Sequence, residues 1–369
     1  MGKKIKYYSS KRIRELDCKY SVIFGERSNG KTTDLLDVCL QAYIFEGHEF
    51  AYMRRWEDDI KGNRGSQLFA GINNRGLVTK YTGGQWTFVK YWNRRFYLAR
   101  YDEKLDRDVT SPEPIGYTFA ISAVEHDKGN SYPKIKNVVF DEFLSRTQYL
   151  TNEFVLFCNT ISTIVRERDD VKIYMLGNTV NQYCPYFAEM GLNKVKQMKP
   201  GQIDVYEYGD SGLRVAVEYA EGNGKDGKPS DVYFAFDNPR LKMITGAKGE
   251  AAWELDIYPH CPTEILPKDI VFIYFILFDG ELLQCEIIAQ PSMTYTFIHR
   301  KTTDLKDPDK DLIYSTNDDP RPNWRRRITR PMSPVDKKII EYFQKDKVFY
   351  QDNEVGEIVR NYIEWCRTA

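Results

Sequence analysis

The sequence predicts an α/β protein in which a mostly parallel sheet with crossover helices is followed by a smaller α+β domain. Three observations support this prediction. About the first 200 residues alternate strand-like and helix-like patterns, as a parallel sheet requires. A loop with two glycines, residues 25–32, joins the first buried strand to a helix. A long apolar hairpin begins near residue 270, which is typical of an antiparallel sheet.

The first domain is assigned to residues 1–207, and the spacing of its apolar residues predicts its elements. Residues 20–24 are a short apolar run that ends at a glycine and predicts a buried strand, while apolar residues within 35–43 recur at helical spacing. Residues 77–101 are rich in aromatic and turn residues and predict antiparallel hairpins, and residues 151–166 predict a helix. Further buried strands are predicted at residues 50–53, 117–121, 137–140 and 172–176.

A connecting region is assigned to residues 208–262. It contains two polar, glycine-rich segments, residues 221–229 and 246–249, which are typical of turns and linkers. We therefore expect the chain to pass from one domain to the other within this region.

The second domain, residues 263–369, opens with a hairpin formed by residues 270–278 and 281–288 around an Asp-Gly turn. Ser333 is the predicted N-cap of a helix that has Pro334 at its first position. A final helix is predicted from apolar residues on one face, namely Val355, Ile358, Val359, Tyr362 and Ile363. This domain is a small α+β unit.

The composition predicts a globular protein that acts in the cytosol and has no membrane partner. Hydrophobic residues make up 42% of the chain and charged residues 29%. The longest apolar run, residues 270–278, is too short for a membrane-spanning helix, and residues 1–6 do not resemble the start of a signal peptide. Seven cysteines without a C-x-x-C pair suit a reducing compartment.

Residues 25–32 fit the pattern G-x-x-x-x-G-K-[ST] between a predicted strand and a predicted helix. In such a loop the backbone N–H groups and the helix N-terminus bind phosphates. Lys31 would reach the β- and γ-phosphates, and the Thr32 hydroxyl would ligate Mg²⁺. The alternative is a glycine-rich turn that binds nothing. The predicted nucleotide-binding residues are Gly25, Glu26, Arg27, Ser28, Asn29, Gly30, Lys31, Thr32, Thr33 and Asp141.

Two carboxylates, Asp141 and Glu142, follow the buried strand at residues 137–140. At the carboxyl edge of a parallel sheet, Asp141 would lie beside the phosphate loop and, with Thr32, hold the metal. Glu142 would orient or deprotonate the attacking water, which favours hydrolysis over phosphate transfer to a small molecule. A carboxylate pair after a strand can also be a solvated turn.

Phosphoryl transfer gathers negative charge, so a cation supplied by the same or a neighbouring subunit is expected. Arg146 follows the acidic pair, Arg166 and Arg168 end the predicted helix, and Lys128 lies in a polar loop. Arg166 and Arg168 could instead interact with the helix dipole.

Other strand ends place polar side chains at the same edge. Asn178 follows the strand at 172–176, where an amide can sense the γ-phosphate. Arg54 and Arg55 end the strand at 50–53, but both could be surface residues.

With 53 basic and 53 acidic residues, the chain has no net charge, so any nucleic-acid contact must come from a local patch. The densest patch mixes arginines with a tryptophan, which could grip phosphates and stack on bases. A solvated loop is the slightly favoured alternative. The patch comprises Arg321, Trp324, Arg325, Arg326, Arg327 and Arg330.

Seven motifs across about the first 190 residues resemble, in order and spacing, the genome-packaging ATPases of phi29-like tailed bacteriophages. They are FGERSNGKT (24–32), YMRR (52–55), KGNSYP (128–133), VFDEF (139–143), VRER (165–168), LGN (176–178) and PYF (185–187).

This resemblance implies an additional-strand, RecA/terminase-like P-loop ATPase that uses ATP and Mg²⁺. It implies a homopentameric ring at the capsid portal in the host cytoplasm, where hydrolysis drives double-stranded DNA inward, with a packaging RNA as a further partner. By matching position, Arg166 resembles a trans-acting arginine finger, Lys128 a second cation presented to the neighbour, and Asn178 a coupling residue.

The resemblance also implies that residues 263–369 are a degenerate relative of an RNase H-like nuclease. Such nucleases need a carboxylate in their first strand. Residues 270–278 contain none, so we expect no nuclease activity. The alternatives are a helicase or other nucleic-acid-dependent ATPase, a terminase large subunit with an active nuclease, and a nucleotide-binding scaffold.

Overall fold

The computed structural model describes residues 7–123, 131–146, 149–221, 253, 256–261 and 263–368. The chain divides into two compact units. The first comprises Met1–Arg146 and Asn152–Lys228, and the second comprises Thr147–Thr151 and Pro229–Ala369.

The first unit is built on a ten-stranded sheet of order β3-β4-β6-β2-β7-β8-β1-β10-β9, with β5 paired to β4. The six central strands, from β6 to β10 in this order, are parallel, whereas the strands at both edges are antiparallel. The strands are β1 (Tyr20–Gly25), β2 (Glu49–Arg54), β3 (Phe88–Trp92), β4 (Arg95–Asp102), β5 (Arg107–Thr110), β6 (Gly116–Ala120), β7 (Ile135–Asp141), β8 (Lys172–Asn178), β9 (Ile203–Tyr208) and β10 (Leu213–Tyr219).

Helices connect these strands and cover the sheet. The central strands are buried along nearly their whole length, as expected for a parallel sheet with helices on its faces. The helices of this unit are α1 (Lys11–Arg14), α2 (Lys31–Glu46), α3 (Gly62–Gln67), α4 (Ala70–Asn74), α5 (Leu77–Tyr81), α6 (Glu153–Val165) and α7 (Pro185–Glu189). Each strand and helix predicted at 20–24, 35–43, 50–53, 117–121, 137–140, 151–166 and 172–176 overlaps an observed element of the same type.

The hairpins predicted over residues 77–101 begin later than expected. Residues 77–81 form the helix α5, and the first hairpin strand starts at Phe88. Gly76, with φ 63°, precedes the helix, and Val78 packs into the core beside Leu77 and Tyr81. Positions 77, 78 and 81 share one helical face, so the helical period overrides the strand propensity of these residues.

The sheet also extends beyond the predicted domain boundary at residue 207. β9 and β10 form a hairpin, and β10 pairs in parallel with β1. Residues 213–219 were assigned to the connecting region, but they form a buried strand of the first unit. The glycine-rich residues 222–250 lie outside the described residues.

β8 lies between β7 and β1. One strand therefore separates the strand that leads into the phosphate loop from the strand that ends in the acidic pair. β7, the additional strand β8 and β1 are parallel, so their carboxyl ends meet at one edge of the sheet.

The second unit has a six-stranded sheet of order β15-β14-β11-β12-β13-β16. β11, β12 and β13 form an antiparallel meander, and β14 and β15 continue the sheet in parallel on the other side of β11. The strands are β11 (Ile270–Phe278), β12 (Glu281–Gln290), β13 (Met293–Arg300), β14 (Ile313–Ser315), β15 (Trp324–Arg325) and β16 (Val348–Tyr350). The predicted hairpin is thus confirmed.

Both predicted helices of this unit are present as α8 (Pro334–Gln344) and α9 (Asn353–Thr368). Ser333 caps α8, and its hydroxyl accepts a hydrogen bond from the Asp336 backbone N–H while Asp336 bonds back to Ser333. In the described parts of the chain, no helix is long and apolar enough to cross a membrane.

Gly177, the penultimate residue of β8, packs closely on the residues that follow the acidic pair. A Cβ atom there would lie 2.7 Å from Leu144 Cδ1 and 2.9 Å from Phe143 Cε1. The two residues that follow Glu142 therefore pack directly on the backbone of the neighbouring strand.

We expect Gly177→Ala to destabilise the first unit by about 1–3 kcal/mol, because overpacking displaces Leu144 and Phe143. Urea unfolding would measure the change. Gly71→Ala is the matched control, since a Cβ there meets only Thr33 Cγ2 at 3.8 Å, and it should be neutral or stabilising. Equal unfolding midpoints for the two variants would contradict the packing argument.

Candidate nucleotide-binding site

The phosphate loop runs from Gly25, the last residue of β1, to the start of α2 at Lys31. Ser28 and Gly30 both have positive φ values, 59° and 97°. At Gly25 a Cβ atom would lie 3.0 Å from the Ala220 carbonyl oxygen. Glycine is thus required at one end by close packing and at the other by backbone conformation. The N-terminus of α2 points its unpaired N–H groups into this loop, which suits an anion.

Lys31 is buried, and its ammonium group lies inside the loop. Its Nζ donates to the carbonyl oxygens of Glu26 at 2.7 Å and Gly25 at 3.3 Å, and to Asn29 Oδ1 at 3.1 Å. Burial lowers the pKa of Lys31 to about 8, although the charges of Asp141 and Glu26 oppose the shift. Neutral carbonyl groups are weak partners for a buried cation, so a phosphate would stabilise this ammonium group further.

Asn29 supplies an observation that favours an anionic ligand. Its side chain is 1% exposed, and its Oδ1 accepts from Lys31, yet within the described part of the chain its Nδ2 has no hydrogen-bond partner. A buried amide donor without a partner is uncommon in folded proteins. A phosphate oxygen would satisfy it.

Asp141 is buried at the end of β7, where its carboxylate meets the loop. Its Oδ2 accepts hydrogen bonds of 2.9 Å from both the Thr32 hydroxyl and the Tyr52 hydroxyl. The Glu142 backbone N–H donates to its Oδ1 at 3.0 Å. A hydroxyl and a carboxylate held together are the hard oxygen donors that Mg²⁺ prefers, so this pair fits the predicted metal.

Glu142 adopts a left-handed backbone conformation with φ 57°, and its side chain is exposed. The carboxylate forms an ion pair with the Arg54 guanidinium, and Arg54 Nη2 also lies 3.6 Å from Asp59 Oδ2. Arg54 therefore contacts the acidic pair, and its side chain is only 15% exposed.

Asn178 lies opposite Gly25 in the register of β8 and β1. Its Oδ1 accepts a hydrogen bond of 3.4 Å from Lys31 Nζ. The structure thus brings Lys31, Thr32, Asp141 and Asn178 together as the sequence predicts.

Among the predicted cations, Arg166 lies away from the phosphate loop of its own chain. Arg166 follows α6 and is exposed, with φ 54° and ψ −128°. α6 leaves the loop edge and returns the chain to the start of β8, so Arg166 lies at the amino edge of the sheet. β7 has seven residues, which places the two edges roughly 20 Å apart. Arg146 is partly buried just beyond the acidic pair, and Lys128 lies outside the described residues.

The Arg168 side chain is engaged in several contacts with the backbone of its own chain. Its guanidinium donates hydrogen bonds to five backbone carbonyl oxygens. Three of these belong to the first residue of β7 and the residues just before it, and two belong to the last turn of α6. Arg168 therefore joins the two segments. The acceptors are Tyr132, Pro133, Ile135, Ile164 and Val165.

Comparison with known proteins gives the family. The model of the podovirus DNA encapsidation protein (Gp16) family matches residues 1–209. The chain belongs to this family. The resemblance inferred from the seven motifs is thereby confirmed.

Individual relatives agree with this assignment. The DNA packaging protein of Bacillus phage phi29 is 26% identical over 191 residues, which is 50% of this chain and 50% of that protein. That of Bacillus phage B103 is 26% identical over 175 residues, 46% of this chain and 47% of that protein. The chain spans about half the length of the curated relatives it matches.

Two solved structures share the fold over nearly the whole chain. The Phi-28 gp11 DNA packaging motor has a TM-score of 0.52 and 19% identity, with 98% of each chain covered. The bacteriophage Phi-29 genome packaging motor assembly has a TM-score of 0.54 and 18% identity, with 98% of this chain and 99% of that chain covered.

Two arginines of the arginine-rich patch in the second unit are paired with nearby acids. Arg321 bonds to Asp319 and Asp309 and stacks over Trp324 with 4.7 Å between the guanidinium carbon and the ring centre. Arg326 pairs with Asp318 at 3.0 Å. The patch is thus a folded loop with its own ion pairs, and nucleic-acid binding by it stays a prediction.

Tyr52 is the side chain of this site that the sequence did not predict. It is fully buried in β2 and binds Asp141. Arg55, which the sequence placed at this edge with a surface position as the alternative, is 5% exposed and binds the backbone after Asp141. Both lie in the YMRR motif, which the resemblance included without assigning them roles. A buried tyrosine hydroxyl needs a partner, and that requirement was the available signal.

We expect Asp141→Asn to weaken Mg²⁺-dependent nucleotide binding roughly tenfold or more, because the amide removes the charge that holds the metal. Magnesium titration against a fluorescent ATP analogue would measure this. Binding in EDTA should change little. Glu142→Gln is the control, since its carboxylate pairs with Arg54 and not with Thr32. The same loss of magnesium dependence in both variants would disprove the assignment.

Proposed function

We propose that this protein is an ATP-driven motor that translocates double-stranded viral DNA into a preformed capsid. The observation that carries the proposal is the convergence of Lys31, Thr32, Asp141 and Asn178 at one sheet edge, in a chain of the DNA encapsidation family. We place it in a ring at the portal, with a pentamer as the expected state and a packaging RNA as a further partner. It would act in the host cytoplasm.

Each residue of the site has one task in hydrolysis. The loop N–H groups and Lys31 bind the phosphates, and Thr32 with Asp141 holds Mg²⁺. The metal, when bound, supplies positive charge to the phosphate oxygens. Glu142 orients the attacking water and accepts its proton. To do so, its carboxylate must release Arg54 and bind that water. Asn178 connects the end of β8 to Lys31 by a hydrogen bond, so a movement of the phosphate loop is transmitted to β8.

The cation for the transition state comes from a neighbouring subunit in this proposal. Arg166 lies at the amino edge of its own sheet, on the far side from its own phosphate loop. In a ring, the amino edge of one subunit can face the carboxyl edge of the next. Arg166 is the preferred finger, while Arg168 positions the backbone before it. Arg146 and Lys128 remain alternative candidates.

The second unit is proposed to be a degenerate RNase H-like domain. An antiparallel meander followed by two strands parallel to its first strand is the arrangement of an RNase H-like sheet, which supports the proposal. β11 carries no carboxylate. We therefore propose that this unit contacts DNA, RNA or the portal and does not cut DNA.

We expect purified protein to hydrolyse ATP faster with double-stranded DNA than without it. Lys31→Ala and Glu142→Gln should each lower turnover roughly 100-fold, because one removes a phosphate contact and the other the base. A coupled phosphate-release assay would measure the rates. No turnover in any condition would make a nucleotide-binding scaffold the better account. Strand displacement on a fork would indicate a helicase, and plasmid cutting an active nuclease.

We expect Arg166→Ala to abolish DNA-stimulated turnover. Mixing this variant with Glu142→Gln subunits, which supply the missing arginine, should restore turnover. The melting temperature of Arg166→Ala should fall less than that of Arg168→Ala, since the Arg166 side chain is exposed. Arg168→Ala is the matched comparison and should lower the melting temperature by roughly 5 °C, since several hydrogen bonds are lost. Absence of rescue on mixing would remove the trans assignment of Arg166.

A further inference from the structure

We propose that Arg55 is the positioning residue of the catalytic carboxylate, acting on Glu142 through the peptide backbone. The inference rests on the proposed hydrolytic role of Glu142. It assigns separate tasks to the two neighbouring arginines at the end of β2. Arg54 meets the Glu142 side chain, and Arg55 holds the main chain that carries it.

The guanidinium of Arg55 binds two successive carbonyl groups of the catalytic segment. Its Nη1 donates to the Glu142 carbonyl oxygen at 3.3 Å, and its Nη2 donates to the Phe143 carbonyl oxygen at 2.7 Å. The Arg55 side chain is only 6% exposed. Water therefore competes little for these bonds, and the planar guanidinium fixes both carbonyl groups at once.

Arg55 is itself held by a buried carboxylate. Its Nε donates to Glu153 Oε2 at 2.7 Å, and the other oxygen of Glu153 accepts from the Tyr186 hydroxyl at 2.7 Å. Glu153 is 3% exposed, and Tyr186 is fully buried. Glu153 is the first residue of α6, and Tyr186 lies in α7. The network Arg55–Glu153–Tyr186 thus joins the catalytic segment to two helices of the same unit.

The backbone of Glu142 needs such support. A non-glycine residue at φ 57° is strained and persists only where its surroundings fix it. Three contacts do so here. The Glu142 N–H bonds to Asp141, its carbonyl bonds to Arg55, and the Phe143 N–H donates to the Leu176 carbonyl at 3.1 Å. The last two bonds hold one planar peptide unit from both sides. Without Arg55 that unit would be held by the Leu176 carbonyl alone, and the backbone that sets the direction of the Glu142 side chain would be less firmly fixed.

The test compares variants that separate positioning from folding. Arg55→Lys keeps a cation for Glu153 but cannot bind both carbonyl groups. The triple change Arg55→Met, Glu153→Leu and Tyr186→Phe replaces the whole network by apolar side chains, which buried ion pairs commonly tolerate. Melting temperature, affinity for a fluorescent ATP analogue and DNA-stimulated turnover would be measured for each variant on the full-length protein.

We expect at least one of these variants to melt near the wild-type temperature and to bind nucleotide within about threefold of wild type, with a turnover roughly 100-fold lower. Arg55→Met alone should be less stable than the triple variant, because it leaves Glu153 buried without its cation. A stable variant with wild-type turnover would overturn the proposal and make the network purely structural. Proportional loss of nucleotide affinity and turnover would also overturn it.

Glu142→Gln separates this inference from the proposed function. If Glu142→Gln keeps wild-type turnover, the hydrolytic role of Glu142 fails, and the role of Arg55 fails with it. If Glu142→Gln loses turnover while a stable Arg55 variant keeps it, only the inference about Arg55 fails.

Discussion

The parallel pairing of β1, β8 and β7 is the constraint on which the rest of the site depends. Register places Gly25 opposite Asn178 and Asp141 opposite Leu176, so three strand ends meet at one edge. The phosphate loop, the acidic pair and the amide follow from these three ends without any further long-range contact. The hydrogen bond from Thr32 to Asp141 is then a local consequence of strand order. One more strand between β7 and β1 would place Thr32 and Asp141 about 5 Å further apart.

The charged residues at this edge fall into two groups. Lys31 and Asp141 are buried and are held mostly by neutral donors and acceptors, so they retain capacity for an anion and a cation. Arg55 and Glu153 are buried and pair with each other. Arg54 belongs to neither group, because it pairs with the exposed carboxylate of Glu142. The charges proposed to bind ligand and the charges that pair internally are therefore on different residues.

Much of this could be predicted from sequence, and the exceptions have physical causes. A phosphate loop is encoded by contiguous residues, and an apolar strand that ends in Asp141 and Glu142 is a local pattern, so both were found. The tasks of Arg54 and Arg55 are not local. Which arginine is buried depends on residues 98 positions away, where Glu153 lies. Arg168 was one of several candidate cations, with interaction with the helix dipole as the alternative, and its contacts could not be predicted because residues 132–135 supply acceptors from a distant part of the sequence.

The position of Arg166 argues for an assembly more strongly than its charge does. In a parallel sheet with crossover helices, a helix that begins at the carboxyl edge must end at the amino edge, so the last residues of α6 lie a full strand length from the loop of their own subunit. Side chains reach only several ångströms, and the gap is roughly 20 Å. If Arg166 serves a phosphate site, as proposed, that site belongs to another copy of the chain. The strained conformation of Arg166, with φ 54°, is consistent with such a task, since strain of this kind persists where the surrounding structure fixes it. Arg168 provides that fixation by joining the end of α6 to the start of β7. β7 carries Asp141 at its carboxyl end, beside the proposed nucleotide site of its own subunit. Through Arg168, the start of the same strand is joined to the segment that holds Arg166, the residue proposed to act on the next subunit.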